Sequence, residues 1–123
     1  MKYSFNENVH LLSGLDEKGM IRYMSASKVV LIPSSVLSFE AMALKKPIFT
    51  CFFVDNQELI YKGLIQEGLA DGCKYIETIE DVILATKLFI IFYLDEIKHQ
   101  KQIKNQQIAI DGYSGERIKN SLQ

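Results

Sequence analysis

Apolar positions along the chain fall into short unbroken runs, separated by segments with helical spacing. Val9-His10-Leu11-Leu12, Lys28 to Pro33, Ile48 to Val54 and Cys73 to Ile76 show little polar alternation, the pattern of parallel strands covered on both faces. Between them, Met20, Ile21 and Met24, then Leu37, Ala41 and Leu44, then Leu59, Ile60, Leu64 and Ile65 recur with the helix period. The order predicts β-α-β-α-β-α-β: an α/β fold, with a Rossmann-like three-layer open parallel sheet in a single domain over residues 1–123.

Capping and breaking residues set the expected boundaries. Asp16, after a turn at Ser13-Gly14-Leu15, predicts the start of a helix over Glu17 to Ala26. Ser34 and Ser35 precede a helix over Val36 to Lys46; Lys45 and Lys46 suit its negative end, and Pro47 stops it. A further helix is expected from Gln57 to Glu67, with Asp55 or Asn56 able to cap it and Gly68 placed for a left-handed ending. Thr78 and Asp81 open a helix that runs into the dense apolar stretch Val82 to Leu94, which must pack on the sheet or against something else. Asp95 to Gln107 is polar and either continues that helix or forms a second one after a break, with His99 read as exposed upon it. Met1 to Asn8 reads as a polar lead-in, Asp111-Gly112 as a turn and Ser114 as the cap of a last helix over Gly115 to Leu122.

Composition narrows the classes. At 48% hydrophobic and 24% charged residues, the chain is an ordinary globular one. A net charge of −1 favours neither nucleic acid nor an anionic membrane as partner. Val82 to Leu94 is interrupted by Lys87 and too short for a bilayer, so no membrane span is expected. Cys51 and Cys73 form no ligand motif and read as buried free thiols, and the N-terminus lacks a secretory apolar region, which makes the cytoplasm the expected location. His10 and His99 have no Cys or carboxylate at ligand spacing, so neither a metal nor a cofactor is expected.

Candidate chemistry lies at two expected strand ends, Ser34-Ser35 and Asp55-Asn56-Gln57. A turn from a parallel strand into a helix offers free N–H groups at the positive end of a helix dipole, and anions bind there. Serines in such a turn are also good caps, and both readings stay open. Glu40 lies about one turn beyond the cap, and a carboxylate can accept two hydrogen bonds from a vicinal diol. Asn56 and Gln57 can both donate and accept. There is no G-x-S-x-G, Walker A or G-x-G-x-x-G motif.

The succession of a serine-rich turn, Glu40, Pro47, an apolar strand and Asp55-Asn56-Gln57 resembles the second domain of GT-B glycosyltransferase-like enzymes. The likeness is nearest to the UDP-sugar hydrolase of pseudaminic acid biosynthesis. Wider relatives are the peptidoglycan N-acetylglucosaminyl transferase and spore-coat polysaccharide proteins. Asp111 to Ile118 resembles the closing segment of the same group. The family pattern Gly-Gly-Ser-Thr is here Ser34-Ser35-Val36-Leu37, so the hydroxyls that follow the glycines are absent, and Ser38 is the nearest substitute. The resemblance implies a UDP or UDP-sugar ligand. The start of the helix, with Ser34, Ser35 and Ser38, would hold the diphosphate, Glu40 the ribose, the backbone at Leu15 the uracil, and Asn56 and Gln57 the sugar. It implies no catalytic residue here, because the base belongs to an N-terminal domain of the family that this stretch lacks. A homo-oligomer, or a partner chain supplying that domain, is therefore expected. The alternative is a non-catalytic flavodoxin-like interaction domain.

Overall fold

The structure, a computed structural model, describes residues 12–110. The strand expected over residues 9–12 falls outside them apart from its last residue. The turn at Asp111-Gly112 and the helix expected at 115–122 fall outside them entirely. In chain order the elements are α1 (Glu17–Ala26), β1 (Val30–Pro33), α2 (Val36–Ala43), β2 (Ile48–Phe52), α3 (Glu58–Gln66), β3 (Asp71–Tyr75), α4 (Ile79–Tyr93) and α5 (Glu96–Ala109).

The strands form one parallel sheet in the order β1-β2-β3, with Val30 opposite Ile48 and Phe49 opposite Asp71. Right-handed crossovers between successive neighbours put both connecting helices on one face. Ala41 and Met42 of α2 and Leu64 of α3 accordingly meet Val30 and Ile48 in one core cluster, which Met24 of α1 joins. Phe49 faces the other way, with ring centroids 5.6 Å from Phe89 and 5.7 Å from Phe92 of α4. The result is the expected three-layer α/β architecture. β2 is central and buried at every position, which is why its sequence shows no alternation.

Several boundaries differ from the sequence reading, each for a local reason. β1 begins at Val30, where the first ladder bond forms, from Val30 N–H to the Pro47 carbonyl at 2.9 Å. β3 begins at Asp71 because Asp71 and Gly72 already pair with Phe49 and Thr50; an irregularity then shifts the register, so that Phe52 meets Tyr75. Gly72 is required by close approach: a Cβ there would lie 2.3 Å from the Thr50 carbonyl oxygen and 2.8 Å from Tyr61 Cε2. α2 stops at Ala43, so Lys45 and Lys46 lie beyond its last turn. Lys45 adopts φ 57°, and Lys46 N–H reaches Ala41 O at 3.1 Å while Lys45 N–H reaches Met42 O at 2.9 Å. This is a Schellman ending built without glycine. α3 ends the same way with the expected glycine: Gly68 has φ 66°, and Leu69 N–H bonds Leu64 O at 2.9 Å.

The polar stretch after Leu94 is a separate helix, opened by Asp95, whose carboxylate accepts the Lys98 N–H at 3.1 Å. Its polarity does not mean exposure. His99, Gln102 and Gln106 are buried, and the reading of His99 as an exposed residue is corrected. His99 Nε2 donates to the Phe92 carbonyl at 2.7 Å. Gln102 bonds both backbone groups of Ile48, accepting from its N–H at 2.8 Å and donating to its carbonyl at 3.2 Å, and reaches Asp71 at 3.1 Å. Gln106 donates to the carbonyls of Lys46 and Leu69. An amide side chain carries the same donor and acceptor pair as a peptide group. α5 therefore closes the edge where β2 and β3 begin, and leaves the opposite edge, where the strands end, clear of it.

Candidate functional site

At the end of β1 the chain turns through Ser34 and Ser35 into α2. Ser34 is fully buried. Its hydroxyl lies 2.8 Å from that of Thr50, and its N–H donates to Cys51 O at 2.9 Å, so it ties β1 to β2. Ser35 is the N-cap: its hydroxyl accepts from Leu37 N–H and donates to Pro33 O, both at 3.4 Å. Ser38, also buried, accepts the Ser35 N–H at 3.3 Å and donates to Pro33 O at 3.4 Å. All three hydroxyls are thus committed to protein partners, Ser34 on β2 and Ser35 and Ser38 on the turn itself. At the mouth of α2, Val36 is an exposed residue, and its N–H has no protein acceptor among the described residues.

Glu40 stands one helical turn above Val36 on the same face, and side chains on a helix lean toward its N-terminus. It is half-buried, and its carboxylate has no ion pair or hydrogen bond among the described residues. On the neighbouring strand, β2 runs through exposed Phe53 and Val54 into a tight 3₁₀ turn, Asp55–Gln57, and α3 follows at once. Neither Asp55 nor Asn56 caps α3. Gln57 occupies that place in helical conformation, without a side-chain cap bond, and its side-chain amide Oε1 accepts the Phe53 N–H at 3.1 Å. The Asn56 side chain is exposed. Leu15 lies just before the Asp16 cap of α1; it is 37% exposed and folds over Gly19, its Cδ2 3.3 Å from where a Cβ there would sit.

Helices in such crossovers run against the strands, so α1, α2 and α3 all begin at the edge where β1 and β2 end. The structure therefore brings Leu15, Ser34, Ser35, Ser38, Glu40, Asn56 and Gln57 to one edge. It does not gather them in one cavity. The groove at that edge, of about 290 Å³, lies on the α4 face and is apolar, lined among others by Leu31, Pro33, Phe49, Phe53, Val82 and Phe89; none of the seven residues borders it. Sequence reasoning missed this groove, although the uncommitted apolar run after Val82 was its signal. Cys51 also lines it, and burial, with Cys73 nearby, pushes its thiol pKa upward. Both cysteines are free thiols. Among the described residues no three His, Cys, Asp or Glu side chains converge as metal ligands, and no helix is long and apolar enough to cross a membrane.

No family model matches the chain, and neither the curated proteins nor the solved structures compared with it yield a match.

Proposed function

We propose that this domain binds a UDP-sugar at the edge where β1 and β2 end, as one half of a GT-B-like UDP-sugar hydrolase or glycosyltransferase of surface-polysaccharide or nonulosonic-acid biosynthesis. The observation that supports it is Glu40: a half-buried carboxylate without a protein partner among the described residues, one turn above the open mouth of α2. A helix mouth attracts a diphosphate, and a carboxylate at that distance can accept both hydroxyls of a ribose. With the serine hydroxyls committed to protein partners, the diphosphate would rest on backbone N–H groups at Val36 and its neighbours. Asn56 would face the sugar, and the Leu15 backbone the uracil.

Catalysis would require a base from a second domain or partner chain. That base would take the proton of water, or of an acceptor hydroxyl, as its oxygen bonds the anomeric carbon and UDP departs. This reading puts the protein in the cytoplasm, where thiols such as Cys51 and Cys73 stay reduced.

A second reading, a non-catalytic interaction domain, is favoured by the apolar groove and by the outward side chains of α4. Calorimetric titration with UDP, uridine and inorganic diphosphate separates the two. Saturable binding of UDP, tighter than of uridine or diphosphate, is expected. Absence of UDP binding at millimolar concentration would overturn the nucleotide reading in favour of the second.

A further inference from the structure

α4 is apolar on two sides. Ala85, Leu88, Phe89 and Phe92 turn inward; Phe92 is buried, and both aromatic rings pack on Phe49. On the opposite side Ile79, Ile83, Ile90 and Leu94 recur at helical spacing and are 75%, 50%, 53% and 70% exposed. Ile97, at the start of α5, is 82% exposed. The apolar cluster Phe89-Ile90-Ile91-Phe92 is therefore split, two rings in and two isoleucines out. A helix apolar all round is one covered on all sides, and the 15 residues of α4 are too few to span a bilayer.

The charges beside this stripe indicate what covers it. Glu80 and Lys87 lie seven residues apart on one flank, and neither belongs to an ion pair among the described residues. Two copies of α4 packed antiparallel about a twofold axis set Glu80 of each copy beside Lys87 of the other. The same register lays Ile90 of each over Ile79 of the other, and Ile83 over Thr86. A parallel arrangement would instead put that flank of the two copies on opposite sides of the seam, leaving Glu80 and Lys87 without each other as partners. The surface is self-complementary in the antiparallel sense alone, which is what an isologous interface requires.

We propose that the outer face of α4 is the interface of an antiparallel homodimer, with two Glu80–Lys87 pairs flanking the Ile79, Ile83 and Ile90 contacts. It does not depend on the nucleotide reading, since α4 carries none of the residues assigned to UDP.

Sedimentation equilibrium on the full chain tests it, with Glu80→Lys, Lys87→Glu and the double variant. The parent is expected to dimerise at micromolar concentration. Each single variant should dimerise at least about tenfold more weakly, because like charges then face each other across the axis. The double variant should recover the parent affinity, and an equimolar mixture of the two single variants should form heterodimers as tightly as the parent. Both positions are exposed, so circular dichroism of the single variants should match the parent. A parent that stays monomeric at high micromolar concentration overturns the proposal, whether terminal residues, another protein or a lipid surface then covers the stripe. Single variants that dimerise like the parent, or a double variant that fails to recover, overturn it as well.

Discussion

Glu40 and the serines before it show where motif reading succeeds and where it stops. That Ser34, Ser35 and Ser38 would crowd the mouth of α2 was legible from the strand-to-helix pattern. The direction of each hydroxyl was not, because the partner of Ser34 is Thr50, 16 residues on and brought alongside only by the sheet. Glu40 was legible as a candidate from its place about one turn beyond the serine cap, while its lack of a protein partner among the described residues needed the structure. If Glu40 holds a ribose, Glu40→Gln keeps length and helix propensity but weakens a charge-assisted bond. UDP affinity should then fall by roughly tenfold or more, while the thermal midpoint hardly moves. Calorimetric titration beside a melting curve checks it; unchanged affinity would release Glu40 from the role, and a large drop in midpoint would make it structural. A second residue makes the opposite point. Lys45 sits at φ 57° where the matching turn after α3 has Gly68, and a side chain in that conformation is strained. Lys45→Gly should therefore stabilise the fold by about 0.5–1 kcal/mol, a gain read from urea unfolding; a loss would mean that the lysine stem contributes packing that outweighs the strain.

Among the elements, α1, β1, α2, β2, α3 and α4 were visible because their apolar spacing agrees with their surroundings. Asp16, Ser35 and Thr78 each cap the helix expected of them. α5 was open in the sequence as a continuation of α4 or a second helix after a break, but its burial hid because the rule was inverted: its buried stripe is His99, Gln102 and Gln106, and what it buries against is backbone rather than hydrocarbon. No periodicity of hydrophobicity can show which face of such a helix is buried, since the residues that face inward are polar. The start of β3 hid for a related reason. The strand was expected from Cys73, yet Asp71 and Gly72 already pair with Phe49 and Thr50, and Gly72 is there because Thr50 and Tyr61 leave no room for a Cβ. Gln102 is the test of the α5 arrangement. Gln102→Met keeps shape but leaves the N–H and carbonyl of fully buried Ile48 without their side-chain partner. Unsatisfied buried groups cost about 1–3 kcal/mol each, so the thermal midpoint should fall by roughly 10 °C. Gln107→Met, on the exposed side of the same helix, should stay within about 0.5 kcal/mol of the parent. Equal melting of the two variants would show that α5 is held by something other than these amide bonds.

For the molecule as a whole, the groups with displaced pKa values set the direction in which they change stability with pH. The Asp81 carboxyl is held below its ordinary value by the N–H groups of Thr78 and Glu77 and by the Thr78 hydroxyl. The Glu96 carboxyl is held down by the Lys28 ammonium 2.7 Å away. Both are acids favoured ionised in the fold, so their contribution is present above the ordinary carboxylate range and is lost as pH falls below that range through their lowered values. On the alkaline side the displaced groups move up. Glu96 raises Lys28 and Asp71 raises Lys98, while burial raises the Cys51 thiol and the Tyr61 phenol. A group raised in the fold contributes fully below its unfolded value and loses that contribution as pH climbs through the folded one, here above about pH 9. The thermal midpoint should therefore hold a plateau between these limits and fall on both sides. The double variant Asp81→Asn, Glu96→Gln separates charge from packing on the acid side. At pH 7 it should melt below the parent, and the gap should close as both are acidified to pH 2, because protonation then removes from the parent what mutation has already removed from the variant. A gap that persists at full size at pH 2 would assign the loss to packing at the starts of α4 and α5, and a parent whose midpoint rises on acidification would contradict the lowered carboxyls altogether.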